Sequence, residues 1–238
     1  MKEQILKILP LYRWHPEVAI RYLPIVDEIK KMDSVTILEV GSGGLGIAPY
    51  LNREVTGIDS DFSGPTHPLL KRIKGTGEKL PFADKSFGVV ISVDILEHVP
   101  QKNREKVITE MIRVAQKEVI IATPCGNDSE KQDRVLSEIY KRKFGEDYHF
   151  LKEQLEYGLP DAKEVLSILK KMTGNKIEIN VVGNENLQVR KFLMTGWMTK
   201  NILADIFYRK LLLAFIPIFQ LVNSGPFYRK IFYARINK

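Results

Sequence analysis

The stretch at positions 37–46 of this 238-residue chain, Ile-Leu-Glu-Val-Gly-Ser-Gly-Gly-Leu-Gly, is the most informative about its fold. It continues a β-branched run that begins at Val35, and such a run is typical of a buried parallel strand. Four glycines then precede a segment, 47–53, for which we predict a helix. Glycine permits positive φ angles and lets a ligand approach the backbone closely, while a helix N-terminus offers free N–H donors. The stretch therefore predicts a turn that holds a ligand.

Strands and helices alternate on both sides of this turn. Residues 55–59, 87–93 and 118–122 have the apolar, β-branched composition of buried strands, and residues 103–115 have the pattern of a helix. An amphipathic helix is predicted at 16–29 from apolar residues at helical spacing. This alternation predicts a doubly wound α/β domain with right-handed crossovers.

Two classes of ligand fit the glycine turn. Gly41, Gly43 and Gly46 satisfy the G-x-G-x-x-G pattern of dinucleotide-binding turns, although that pattern alone is weak. Glu39, beside the turn, would repel a pyrophosphate and would instead suit a ligand with a cationic ammonium group. Asp59, at the end of the second strand, can accept hydrogen bonds from both ribose hydroxyls of an adenosine in either case. Both ligand classes stay open at this point.

The downstream stretch 75–100, GTGEKLPFADKSFGVVISVDILEHVP, resembles the class I S-adenosylmethionine (SAM) dependent methyltransferases. The resemblance is to the methyltransferase type 11 group in particular, which is related to ubiquinone and menaquinone biosynthesis methyltransferases. The matching positions are Gly75, Glu78, Leu80, Pro81, Phe82, Ser86, Phe87 and Leu96-Glu97-His98-Val99. Together with ILEVGSG, VTGID and the later Glu110, Arg113 and Val114, the resemblance covers residues 35 to about 124.

The resemblance implies a Rossmann-like sheet of seven strands, mostly parallel with an antiparallel last strand, helices on both faces and a helical insertion before the last strand. The expected parts of this single domain, 1–238, are an N-terminal helical segment (1–33), a SAM-binding core (34–124), a substrate-side half (125–186), a helical lid or insertion (187–225) and a closing strand (226–238). Within them we expect a loop at 125–133, helices at 133–143 and 161–172, and strands six and seven at 176–182 and 230–236.

The resemblance also implies a set of site residues. SAM would be bound by Glu39, Gly41, Ser42, Gly43, Asp59, Ser60, Thr76, Gly77, Glu78 and Asp94. Glu39 would lie near the methionine end of SAM, Asp59 would hold the ribose, and the backbone beside Glu78 would recognise the adenine. Asp94 and His98 are expected to be catalytic, with Asp94 near the methyl donor where the substrate enters.

Asp94, Glu97 and His98 form a D-x-x-E-H cluster of the kind that can bind a divalent cation. Methyl transfer does not require a metal, because the sulfonium is already an activated donor. His is also a poor ligand for hard ions, so we expect no metal site. Cys125, the lone cysteine, is expected to be a buried thiol. A single cysteine and the lack of a signal-peptide pattern at 1–16 predict a reducing, cytoplasmic compartment.

Positive charge is concentrated near the C-terminal end. The net charge is +7, and residues 197–238 hold seven Lys or Arg and one Asp, so the remainder is nearly neutral. This distribution favours an acidic partner for the tail, such as lipid headgroups, over a nucleic-acid-binding body. The apolar run 211–222 is too short to span a bilayer. We expect it to pack as a lid over the cleft of a small-molecule or lipid-like substrate, with the basic residues solvated and peripheral membrane contact as the second expectation.

The composition, 44% hydrophobic and 27% charged, excludes collagen-like and wholly disordered chains. Two alternatives to an active methyltransferase stay open. A NAD-dependent oxidoreductase would use the glycine pattern but does not account for Glu39 or for the motif at 96–99. A SAM-binding module without catalysis is compatible with Thr76 and Gly88, which stand where the family pattern has acidic residues.

Overall fold

A computed structural model describes residues 15–173 and 177–236. The strands are β1 Ile37–Val40, β2 Val55–Asp59, β3 Leu70–Lys74, β4 Phe87–Val93, β5 Ala115–Pro124, β6 Ile177–Asn186 and β7 Phe227–Ile236. The helices are α1 Pro16–Lys30, α2 Ala48–Leu51, α3 Gln101–Val114, α4 Asn127–Phe144, α5 His149–Tyr157, α6 Ala162–Thr173, α7 Leu187–Trp197, α8 Ile202–Arg209 and α9 Ile216–Leu221, with 3-10 turns at Leu96–His98 and Leu211–Phe215. The expectations for residues 1–14, Lys176 and residues 237–238 lie outside the described residues.

One seven-stranded sheet has the strand order β3-β2-β1-β4-β5-β7-β6. Strand β1 pairs in parallel with β2 and β4, and the pairs β2–β3 and β4–β5 are parallel as well. Strand β7 enters between β5 and β6 and is antiparallel to both. The predicted Rossmann-like sheet with an antiparallel last strand is confirmed. The carboxyl ends of the parallel strands share one edge, which is where such sheets bind their ligands.

Apolar residues of the sheet belong to two packed layers, one on each face. Ile37 of β1 packs in the same cluster as α1 and α2, whereas Leu38 packs with α3 and α6. Successive side chains of a strand point to opposite faces, so a strand covered on both sides has a nearly continuous apolar sequence, as β4 does, and β1 is buried along its whole length. The two layers fix the strands whose ends carry the site.

The loop expected at 125–133 is wrong, because helix α4 begins at Asn127. Gly126 precedes the helix with a φ of +90°. Asp128 and Glu130 lie in the first turn, where carboxylates interact favourably with the helix dipole. The polar composition that suggested a loop therefore belongs to a helix N-terminus.

Strand β3 was not among the strands predicted from the sequence. Its sequence, Leu-Lys-Arg-Ile-Lys, is charged and largely exposed, which is common for a strand at the edge of a sheet. The helix expected at 47–53 is a single turn, α2. The residue that follows it, Asn52, has the left-handed conformation (φ +53°) that ends the helix. Helix α5 also has no counterpart among the predicted elements.

Helices α7, α8 and α9 lie between β6 and β7, as the predicted insertion requires. Asn186 and Asn201 cap α7 and α8, since each side-chain oxygen accepts two backbone N–H groups of the first turn. Among the described residues, no helix is both long enough and apolar enough to cross a bilayer.

Candidate functional site

A cavity of about 1150 Å³ lies at the carboxyl edge of strands β1 to β4. Helices α1, α5 and α7 supply its other walls. The cavity brings together nine of the ten residues expected to bind SAM and the second catalytic candidate: Gly41, Ser42, Gly43, Asp59, Ser60, Thr76, Gly77, Glu78, Asp94 and His98. Glu39 does not line it.

The glycine turn approaches the cavity with left-handed backbone. Gly41 and Gly43 have φ angles of +78° and +52°, which L side chains rarely adopt. A Cβ on Gly41 would lie 2.0 Å from Cδ1 of Ile95, whereas a Cβ on Gly43 would meet open space. The turn thus exposes bare backbone to a ligand at Gly43.

Glu39 holds the turn from behind. Its side chain is fully buried, with Oε1 accepting from the Tyr22 hydroxyl at 2.8 Å and Oε2 accepting from the Ile47 N–H at 2.7 Å. A Cβ on Gly46 would lie 2.1 Å from Oε2 of Glu39. The third glycine of the G-x-G-x-x-G pattern therefore makes room for a carboxylate of the protein. Burial, opposed by the two hydrogen bonds, raises the pKa of Glu39 to about 7.

Asp59 connects the turn to the second strand. Its Oδ2 accepts from the Gly43 N–H at 2.7 Å and its Oδ1 accepts from the Asp61 N–H at 2.9 Å. A carboxylate oxygen has two lone pairs, so each oxygen can still accept one further hydrogen bond. These two acceptor oxygens fit a ribose, whose two adjacent hydroxyls would donate to them.

The segment 76–78 forms the next wall. A Cβ on Gly77 would lie 2.9 Å from Val40 and 3.1 Å from Val107, so this backbone packs directly on the core. The carboxylate of Glu78 accepts from Asn103 Nδ2 at 2.9 Å. The wall is therefore apolar on one side and supplies backbone and carboxylate groups beside it, which suits a heteroaromatic ring.

Asp94 follows β4 and is anchored by two arginines. Arg229 of β7 contacts both carboxylate oxygens, at 2.5 Å (Nε to Oδ1) and 2.6 Å (Nη2 to Oδ2), and Arg21 Nη1 lies 3.2 Å from Oδ2. Burial alone would raise the pKa of Asp94, but the charges of Arg21 and Arg229 outweigh it and hold the pKa below the ordinary value. Asp94 is thus an ionised acceptor of hydrogen bonds and a weak base.

The expectation that the basic residues of the tail are solvated is wrong for Arg229. Its side chain is fully buried, and beside Asp94 it donates to Asn184 Oδ1 at 3.1 Å and Glu185 Oε2 at 2.9 Å. A second buried pair joins Arg190 Nη2 and Asp133 Oδ1 at 2.8 Å. The sequence held no signal for this network, because its members lie far apart along the chain.

His98 lines the cavity and is held by helix α5. Its Nδ1 lies 2.7 Å from Glu153 Oε2, and its Nε2 lies 3.4 Å from Gln154 Nε2. When Nδ1 carries the proton and donates a hydrogen bond to Glu153, Nε2 is an acceptor, and the Gln154 amide is the donor nearest to it. Sequence reasoning missed Glu153, because α5 itself was not predicted.

Glu97 does not share the position of Asp94 and His98 in the cavity wall. It is fully buried, does not line the cavity, and accepts from the Thr123 hydroxyl at 3.0 Å. Burial first and the charge of Asp94 second raise the pKa of Glu97 to about 8. Within residues 15–173 and 177–236, no three His, Cys, Asp or Glu side chains come together as a candidate metal centre. Cys125 is buried, and burial raises its thiol pKa to about 12.

The sequence was compared with protein-family models and with curated proteins, and the structure with solved structures. Residues 38–123 match the family model described as a methyltransferase domain. A search of the curated proteins finds no match to this sequence.

Several solved structures share the fold at low sequence identity. An Anabaena variabilis protein described as a methyltransferase of an antibiotic biosynthesis pathway has a TM-score of 0.54 and 17% identity, over 90% of this chain and 98% of that one. The magnesium protoporphyrin IX methyltransferase of Synechocystis PCC 6803 has a TM-score of 0.53 and 12% identity, over 90% and 81%. Phosphoethanolamine N-methyltransferase 2 of Haemonchus contortus has a TM-score of 0.54 and 16% identity, over 91% and 52%.

Proposed function

Residues 38–123 of this chain belong to the methyltransferase domain family, and on that premise we propose that it transfers a methyl group from S-adenosylmethionine to a small-molecule or lipid-like acceptor. The observation that carries the proposal is the cavity of about 1150 Å³ at the carboxyl edge of the sheet. Ligand cavities usually measure about 300–1,000 Å³, so this volume has room for a cofactor and an acceptor together.

The cofactor half of the cavity is assigned to the ends of β1, β2 and β3. Gly43 offers exposed backbone, Asp59 offers two carboxylate oxygens with free lone pairs, and the segment 76–78 offers a partly apolar wall. When bound there, SAM supplies a methyl group already activated on a sulfonium. Glu39 does not contact the cofactor in this assignment. It holds the glycine turn in place, because its carboxylate accepts the Ile47 N–H and packs directly against Gly46.

The acceptor half is assigned to α1, α5 and α7, which supply aromatic and cationic side chains. Tyr148 packs edge-on against Phe150 and against Trp197, with ring centroids 5.7 Å and 5.6 Å apart. Arg21 and Arg190 line the same space. An acceptor with an apolar body and a polar or anionic group fits this lining, which is why both a small molecule and a lipid-like molecule are proposed. The known acceptors of structural relatives, a porphyrin and a phosphoethanolamine among them, are too diverse to narrow this choice.

His98 and Glu153 supply a general base where the accepting atom carries a proton. Glu153 orients the imidazole through Nδ1, and Nε2 is left to accept the proton as the methyl group arrives. Asp94, held ionised by two arginines, orients the acceptor or the cationic end of the cofactor. The protein otherwise acts by aligning the two reactants and excluding water.

Isothermal titration with S-adenosylhomocysteine and with NADH tests the cofactor, and we expect binding of the first alone. Methyl-labelled SAM, incubated with the protein and with separate water-soluble and lipid extracts, then identifies the acceptor fraction. Binding of NADH in place of S-adenosylhomocysteine would contradict the proposal. Binding of S-adenosylhomocysteine without label transfer to either fraction would favour a module without catalysis.

We place this activity in the cytoplasm, in keeping with the single, buried cysteine.

A further inference from the structure

The helical insertion leaves large apolar side chains in solvent. Helix α8 has no buried residue, and Leu203 is 74% exposed. Further along, Leu221 at the end of α9 is 86% exposed. Of the ten large apolar residues that the insertion exposes, six define what we call the C-terminal apolar face: Leu203, Ile206, Leu211, Phe215, Ile218 and Leu221.

The same insertion has a second set of apolar residues that does pack on the domain. Leu212 joins a buried cluster with Ile20 and Leu193, and Ile216 joins the core layer of α1. The expected lid over the cleft would place residues of 211–222 in the cavity wall, but none of them lines the cavity. The six residues of the C-terminal apolar face are left in solvent. Clustered exposed apolar residues on a soluble domain mark a site of interaction.

Charge indicates which kind of partner this face meets. Between residues 198 and 226 the chain has Lys200, Arg209 and Lys210 as basic residues and Asp205 as the one acidic residue. Asp205 Oδ1 is paired with Arg209 Nε at 2.5 Å. The face is therefore bordered by excess positive charge, which is attracted to anionic lipid headgroups and weakened by salt.

We propose that the C-terminal apolar face docks on the surface of an anionic lipid bilayer. Exposed aliphatic and aromatic residues on short helices, with Lys and Arg beside them, are the composition of an interfacial element. No described helix could cross the bilayer, so the contact is with one surface. A symmetric dimer through this face is disfavoured, because it would bring Lys200 and Lys210 of both copies together.

Docking would also orient the cavity. Trp197 at the end of α7 and Arg209 at the end of α8 line the cavity and flank the first helix of the face. The cavity would then open beside the lipid surface, where an amphiphilic acceptor concentrates. This last step rests on the proposed methyltransferase function, whereas the docking does not.

Flotation of the full chain tests the docking. The probes are vesicles of phosphatidylcholine alone and of phosphatidylcholine with phosphatidylserine. We expect the protein to float with the anionic vesicles at low salt and to be released at about 1 M salt, where the screening length falls to about 3 Å.

Two double variants separate the apolar and the charged contributions. Leu203→Asn/Leu221→Asn should weaken vesicle binding by about tenfold or more, because leucine burial is lost. Lys200→Glu/Lys210→Glu should weaken binding to anionic vesicles by at least about fivefold for each charge removed. The matched control is Lys131→Glu/Val135→Asn on α4, which removes one exposed cation and one exposed apolar residue outside the face.

Titration with S-adenosylhomocysteine is run on every variant, so a failure of docking is distinguished from a failure of the cofactor proposal. The docking is contradicted if the wild-type protein does not float with anionic vesicles at low salt, or if the control variant loses as much binding as the face variants. Absence of flotation together with a dimer that Leu203→Asn/Leu221→Asn dissociates, measured by sedimentation velocity, would assign the face to a second copy and overturn the proposal.

Discussion

Arg229 on the last strand holds Asp94 at the end of β4 by two parallel contacts of 2.5 and 2.6 Å. The two residues are 135 positions apart and meet because β7 is inserted antiparallel beside β5. The same guanidinium contacts Glu185 at the end of β6. The closing half of the sheet thus fixes Asp94, a carboxylate of the cavity wall, through an arginine that is itself fully buried.

Removal of this arginine should be costly. Arg229→Met leaves the buried carboxylates of Asp94 and Glu185 without their main partner, and breaking a buried pair on one side costs about 3–5 kcal/mol of unfolding free energy. Urea denaturation measures this loss. Arg134→Met on α4 is the control: its side chain is 60% exposed and its pair with Glu130 is worth at most about 1 kcal/mol. Equal losses in the two variants would contradict a special role for the buried pair.

Asp59→Ala should weaken the binding of S-adenosylhomocysteine. Each hydrogen bond between a charged carboxylate and a ribose hydroxyl is worth about 1.5–3 kcal/mol, which corresponds to about tenfold or more in Kd. Asp59 also accepts from the Gly43 N–H, so thermal unfolding must be measured in parallel with calorimetric titration. The control is Asp84→Ala, which removes an exposed carboxylate paired with Arg113 outside the cavity. Unchanged affinity in folded Asp59→Ala would refute the ribose assignment.

Local sequence was sufficient for strands β1, β2 and β4 and for the glycine turn. The run ending at Val40, the glycines and Asp59 are close together in the chain, and the periods of strand and helix are visible there. The failures have physical causes: β3 is a charged edge strand, and α4 begins in a polar segment that resembles a loop.

The site was predictable to the same extent. Ten of the eleven residues expected in it line the cavity, and Glu39, the exception, is turned into the core by Tyr22 and the Ile47 N–H. Glu153 and Arg229 were not predictable, since α5 brings Glu153 to the cavity and β7 brings Arg229 to Asp94, and the placement of both elements depends on tertiary packing.

Because His98 is paired with Glu153, we expect substitutions of the two residues to lower kcat by different amounts. For an acceptor that must lose a proton, His98→Ala should lower kcat by about 100-fold or more, because the general base is removed. Glu153→Gln should give a smaller loss in kcat with little change in KM, and a shifted pH profile, since the amide no longer favours the same imidazole tautomer. Initial rates of label transfer from SAM across a pH series measure both. A purely structural role for Glu153 is indicated if its pH profile stays that of the wild type.

Methyl transfer should persist in EDTA. Glu97 is buried, does not line the cavity and accepts a hydrogen bond from Thr123, and the positive charges of Arg21 and Arg229 beside Asp94 disfavour a divalent cation there. The carboxylates of the D-x-x-E-H motif are therefore not arranged around a common space. Rates before and after chelation, and after addition of magnesium, are the measurement. Loss of activity in EDTA that magnesium restores in the wild type but not in Glu97→Ala would overturn this reading.

Glu39 should make the protein less stable as pH rises. Its pKa is raised by burial from 4.5 to about 7, so between these values the folded state holds a proton that the unfolded state has released. The free energy of unfolding therefore falls with increasing pH across this window. From pH 5 to pH 8 the contribution of Glu39 is a loss of about 2 kcal/mol.

Glu39→Gln isolates this contribution, because a neutral amide of the same shape does not titrate. Urea denaturation of wild type and variant at pH 5 and pH 8 gives the two differences in unfolding free energy. We expect the wild type to lose stability relative to Glu39→Gln on going to pH 8, whatever constant cost the amide causes through its unequal fit to Tyr22 and the Ile47 N–H. Parallel pH dependence of the two proteins would mean that Glu39 is already ionised at pH 5. In that case its two hydrogen bonds would outweigh burial, and the turn above it would rest on a permanent negative charge.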